Sequence, residues 1–236
     1  MRSVPLIVTL LFSLGSAFAA EEEHIHAAGR SAAALKLNNE GTDYDAKGDF
    51  VNARRCFDKA IRIDSTMWPV YFNRAVIDMK EHKLKQGVDD CTMALGGNSS
   101  FNEAAALRAL LYSKMGQYAV ARSELDRLIA LGGRGNAYDH ALNASAWLLA
   151  TCPDSRFRNG QLAITQANRA VNLTSVHKSA CLDTLAAAYA ETGDFNAAIR
   201  TEEKALSLTK SPQEMKENQK HLTAFKEHRP WRENSM

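Results

Sequence analysis

The chain has 236 residues, 45% of them hydrophobic and 24% charged, with only five prolines and thirteen glycines. These proportions argue against disorder and allow one substantial folded domain. The formal net charge is +2, and no basic cluster is large enough for the counterion release that drives sequence-independent nucleic-acid binding. Ala, Leu, Lys, Glu and Arg fill the long stretches and lose little side-chain freedom in a helix, so an all-α fold is expected.

Residues 1–19 read as a signal peptide. Arg2 gives a positive start, Val4 to Leu14 form an apolar run, and Ala17-Phe18-Ala19 offers small residues to a peptidase. The run is shorter than the about 20 residues a bilayer crossing needs, and Glu21-Glu22-Glu23 follows at once. Cleavage and export are expected, with no membrane insertion of the mature chain and a periplasmic or secreted home. Removing 1–19 leaves 28 basic against 27 acidic residues. Residues 20–31 are expected to be disordered.

From there the sequence repeats. Leu37, Gly41 and Tyr44, then Ala53, Phe57 and Ala60, place two helices either side of Gly48-Asp49. Tyr71, Ala75, Gly87, Cys91 and Ala94 continue the pattern at a spacing of 34 residues, and Ala105, Ala109, Tyr112, Ala121, Leu125 and Leu128 follow after another 34. Ala146, Leu149, Ala163, Ala167 and Ala170 form a fourth unit expanded by an insertion from Cys152-Pro153-Asp154 to Asn159-Gly160; a fifth lies at Leu182, Ala186, Tyr189, Ala198 and Ala205. Small residues at Ala53, Ala75, Ala109, Ala121, Ala186 and Ala198 let paired helices approach, while Tyr44, Phe57, Tyr112, Leu125 and Tyr189 fill the space beside them. Pro212 then opens a polar amphipathic stretch, 213–228, with Met215, Leu222 and Phe225.

This pattern resembles the tetratricopeptide family, whose 34-residue unit is a helix-turn-helix. The resemblance covers residues 32–210 and implies an all-α, right-handed superhelical solenoid of about five units, with 211–236 as a capping helix and tail. Ala146 to Asp154, followed by Leu182 to Glu191, is similar to a paired module of bacterial tetratricopeptide proteins, which supports a bacterial origin. Departures occur at Glu40, where an apolar residue is usual, at Asp78, where Tyr is usual, and at Ser65 and Ser99, which replace the closing proline.

In this family the first helix of each unit lines the inner wall, so its non-packing positions become the binding surface. The register assigns Asn38, Phe72, Asn73, Val76, Met79, Leu110, Asn143 and Trp147 to that wall. Phe72, Val76, Met79, Leu110 and Trp147 form its apolar floor, and Asn73 and Asn143 are placed to hydrogen-bond a peptide backbone. The chaperone-tail clamp of some family members is disfavoured: Asn38, Thr42, Asn73, Glu103 and Leu107 stand at its positions, only Asn73 matches, and Glu103 repels a carboxylate.

Four cysteines permit three full pairings. Cys152 and Cys181 are the candidate disulfide, set against a reading of the cysteines as small core hydrophobes. No catalytic constellation stands out. The seven histidines lack metal-ligand spacing, His24 and His26 read as a solvated tail, and Gly132-Gly133-Arg134-Gly135 lacks the following Lys-Ser/Thr of a phosphate loop. The sequence therefore points to a non-enzymatic adaptor or scaffold of the bacterial cell envelope. It needs no cofactor or metal and binds another protein or peptide rather than nucleic acid. A self-associating scaffold, or a non-catalytic accessory subunit of an envelope enzyme, is the alternative.

Overall fold

In the computed structural model, residues 29, 31–132, 136–174, 178–210 and 212–233 are described. The expected signal peptide at 1–19 lies outside them, as does the 20–31 segment, expected to be disordered, except for Gly29 and Ser31. Among the described residues the chain is α-helical, with one 3-10 turn and no strand. Helix α1 covers 31–46. It is followed by α2 (Phe50–Ile63), α3 (Trp68–Lys80), α4 (Leu84–Gly97), α5 (Asn102–Lys114), α6 (Tyr118–Leu131) and α7 (Asn136–Thr151). The 3-10 turn Ser155–Phe157 precedes α8 (Gly160–Leu173), α9 (Lys178–Glu191), α10 (Phe195–Leu208) and α11 (Pro212–Lys226). None of these helices is long and apolar enough to cross a membrane.

The hairpin turns repeat one chemistry. Gly48, Gly116 and Gly193 take left-handed φ of 76°, 75° and 84°. At each, the next amide donates back to a tyrosine carbonyl: Asp49 to Tyr44, Gln117 to Tyr112 and Asp194 to Tyr189. This closes the helix end with a left-handed residue that glycine adopts at no steric cost. In the second unit His82 occupies the same place at φ 59° and Lys83 donates to Asp78. Asp49 and Asp194 then cap α2 and α10 by accepting from the amides of Asn52 and Ala197.

Chain contacts divide the molecule into two compact units, up to Ile77 and from Asp78 onward. In the N-terminal unit, Ala34, Ala53, Phe57, Ala60, Val70 and Ile77 form the core. Gly41 allows the close crossing, since a Cβ there would lie 2.5 Å from Phe57 Cε1. Tyr44, expected to fill space beside the crossing, is instead exposed under the Lys47 ammonium.

In the C-terminal unit each hairpin packs internally, and the first helices α5, α7 and α9 lie side by side. Alanines line the seams: Ala105, Ala109 and Ala141 in one cluster, Ala146 and Ala167 in another, and Ala163, Ala186, Ala188 and Ala198 in a third that Phe225 of α11 completes. The small-residue seams expected from the repeat are thus the buried ones, and α11 takes its place against α10.

Candidate protein-binding surface

In the N-terminal unit the wall comes from α1 and α3. Asn73 Nδ2 donates to Asn38 Oδ1 at 2.8 Å, and Asn38 is buried. Two of the amides assigned to peptide recognition therefore satisfy one another. Phe72 and Val76 lie half-buried on the same helix as Asn73.

In the C-terminal unit Leu110 on α5 and Met79 are half-buried. On α7, Asn143 and Trp147 follow one another by a helical turn, with Asp139 a turn before them. Asp139 Oδ1 and Asn143 Oδ1 are both shielded acceptors without a hydrogen bond. Trp147 does not stand open as the register implied. Its ring packs tilted against His221 of α11, with centroids 5.5 Å apart, and His221 in turn packs against Trp231, 4.5 Å away.

Trp231 belongs to an extended segment that follows α11. His228, at φ 55°, turns the chain exactly where the repeat turns place their glycine, and Arg229 N–H donates to Ala224 O at 2.9 Å. The His228 ring stacks on Phe195. Residues 231–233 then cross the C-terminal ends of the first helices. Glu233 N–H donates to Thr151 O at 2.9 Å, and Arg232 Nη1 donates to Ala150 O at 3.2 Å. These are carbonyls at the end of α7, where helices carry unsatisfied acceptors and favour cations. Arg232 Nη2 lies 2.6 Å from Glu191 Oε2 at the end of α9, and Arg158 Nε lies 3.0 Å from Glu191 Oε1. Lys114, the last residue of α5, reaches Glu233 at 3.4 Å. One short segment thus touches the ends of three consecutive first helices.

Beneath Trp231 lies a polar cluster. His221 Nδ1 is 2.7 Å from Asp183 Oδ1, and Glu202 is fully buried beside them. Burial, and then the neighbouring Asp183 charge, push the Glu202 carboxyl far above the ordinary range.

All four cysteines are free, buried thiols, so the structure does not join Cys152 to Cys181. Cys181 packs against Leu142 near the start of α7. Cys152 comes ten residues later in the chain, roughly 15 Å further along the helix axis, whereas a disulfide needs Cα atoms within about 7 Å. Burial pushes the Cys91 thiol up to about 12 and the Cys181 thiol up to about 11.

The sequence assigned the wall residues but missed the segment that covers part of them. Its signal was Trp231, an isolated large aromatic in a polar tail, following a histidine 35 residues after the Gly193 turn.

No protein-family model matches the chain. Its similarity to solved structures is broad. The APC/C hetero-tetramer Cut9–Hcn1 aligns at a TM-score of 0.72 and 19% identity, over 83% of this chain and 36% of that one. This chain therefore spans about a third of that relative's length. A Pseudomonas aeruginosa PilF structure aligns at 0.60 and 14%, over 84% and 90%. YrrB, described as a TPR protein with an unusual peptide-binding site, aligns at 0.50 and 16%, over 86% and 97%. The fold is of the tetratricopeptide-repeat type: helical hairpins stacked through small-residue seams.

Proposed function

We propose that the protein is a non-enzymatic adaptor that binds an extended polypeptide along the first helices of its repeats. One observation supports this reading: the ends of the first helices in the C-terminal unit hold an extended segment, the chain's own residues 231–233, by a main-chain hydrogen bond, a guanidinium at a helix end and a tryptophan packed on His221. Main-chain hydrogen bonds with an aromatic anchor are a general means of holding an extended peptide. YrrB, with a peptide-binding site on this fold, lends support. The leader-like residues 1–19 extend the proposal to an adaptor of the bacterial cell envelope, acting after export.

A photo-crosslinking amino acid placed at Leu110 or Phe72, on the walls of the two units, should trap polypeptide from envelope extracts. The same group at Val120, exposed on α6, should trap little. Equal yields at all three positions would refute the proposed surface. Sequencing of the mature N-terminus from fractionated cells tests the location, and an intact leader in the cytoplasmic fraction would overturn it.

A further inference from the structure

We infer that Asp183, Glu202 and His221 form a binding site for one divalent transition-metal ion, with zinc the best match to the ligand set. Three consecutive helices, α9, α10 and α11, contribute one residue each, and a ligand atom from each lies within 4.8 Å of the other two. Two carboxylate oxygens and one imidazole nitrogen are the donors that borderline cations take, leaving one position for water or a fourth ligand.

A cluster of acids alone would be unremarkable on a surface. This one is inside. Glu202 has 0% of its surface exposed, and neither of its oxygens makes a hydrogen bond of ordinary geometry. The Asn218 amide, one turn before His221 and also buried, faces the Glu202 carboxyl. Two carboxyl groups buried side by side cannot both ionise without a large cost, and a cation held between Glu202 and Asp183 removes that cost. Rotation of the Asn218 amide exchanges its nitrogen for an oxygen, which suits the remaining position. Ligand bonds of 2.0–2.2 Å at tetrahedral angles place donors about 3.3–3.6 Å apart, so the three side chains draw in from separations of up to 4.8 Å to close on the ion.

The placement gives the ion a structural consequence. His221 lies between Trp147 and Trp231, so ligation through Nδ1 fixes the ring on which the C-terminal segment rests. It also ties α11 to α9 and α10. This inference stands independently of what the wall binds.

The test uses the full chain carrying His24→Ala and His26→Ala, stripped with chelator and dialysed against zinc chloride. Elemental analysis should find one equivalent of zinc. Glu202→Gln, which is isosteric with a protonated glutamate and keeps the packing, should lower zinc affinity at least tenfold, as should His221→Gln, with circular dichroism confirming helicity. Cobalt(II) in place of zinc should give the intense visible absorption of a low-coordinate site. No retained zinc, equal affinity in the folded variants, or a cobalt spectrum like that of the aquo ion would overturn the inference; the cobalt result decides the matter even where a variant fails to fold.

Discussion

Replacing Gly41 with alanine tests the packing rule that builds the repeat. The new Cβ would meet Phe57 Cε1 at 2.5 Å, Cδ1 at 2.8 Å and Cζ at 2.9 Å, against an ordinary carbon contact of about 3.5–4.0 Å. The ring must therefore shift by roughly 1 Å. Phe57 is only 1% exposed and held among Ala53, Ala60 and Ile77, so the shift propagates. Overpacking of this kind costs about 1–3 kcal/mol. Alanine's helix preference over glycine returns about 1 kcal/mol, and Gly41→Ala should be destabilising by about 1 kcal/mol net. In a Phe57→Val background the Cδ1, Cε1 and Cζ contacts are all gone, so only the preference for alanine remains and the same substitution should stabilise. Urea unfolding of the four proteins, followed by far-ultraviolet circular dichroism, measures the cycle. An effect of the same sign and size in both backgrounds would show that the Gly41–Phe57 approach does not govern this crossing.

Other outcomes follow from the C-terminal unit. Glu191→Gln loses charge pairing with both Arg158 and Arg232 at a largely buried position, so it should cost about 2 kcal/mol and open Arg232 to trypsin; an unchanged digestion pattern would contradict the tail's seating. Deleting residues 230–236 in a Trp68→Phe background leaves Trp147 as the only tryptophan, and its emission should shift to the red relative to a Trp68→Phe, Trp231→Phe chain. With Cys91 held near 12 rather than its usual 9.0, its thiolate population is about a thousandfold below that of a free cysteine. Ellman's reagent should therefore find no fast-reacting Cys91 in the native chain and four thiols after unfolding, whereas a count of two would establish a disulfide. Because the folded thiols bind their protons more tightly than the unfolded ones, their contribution to stability is constant below about pH 9. It falls by up to about 1.4 kcal/mol per pH unit per thiol as pH rises towards about 11 for Cys181 and about 12 for Cys91. A stability curve flat to pH 11 would refute that burial.

The hairpins were legible in the sequence because their packing depends on residue size at fixed spacing. Ala75, Ala109 and Ala186 are all fully buried, and a larger side chain at any of them would hold the paired helices apart. Gly48, Gly116 and Gly193 marked the turns because left-handed backbone selects glycine. His82 takes the same conformation, but at that position the selection is weaker and the residue alone signals nothing. The wall residues were harder to read. Asn38 and Asn73 sit at wall positions, yet their mutual hydrogen bond depends on two helices a whole repeat apart. Asp183, Glu202 and His221 come from three helices separated by 19 residues at each step, and no local motif announces a site assembled through tertiary contact.

The C-terminal segment follows from the same repeat logic carried past its last complete copy. Helix α11 ends in the turn that ends α1, α5 and α9, with His228 left-handed and the amide of Arg229 bonded to Ala224 as Asp194 is bonded to Tyr189. It is therefore built like the first helix of another hairpin, but Pro230 follows at once, and an extended segment takes the place of the second helix. That segment turns onto the ends of α5, α7 and α9, so the Glu233 amide and Arg232 find partners that a second helix would have supplied internally. On the proposed reading, a peptide that reaches Trp147 meets His221 and, beyond it, this segment, which competes at the millimolar effective concentration of a short tether. A chain ending at Arg229 should therefore capture a partner at Trp147 more tightly than the full chain does, and unchanged capture would contradict the competition.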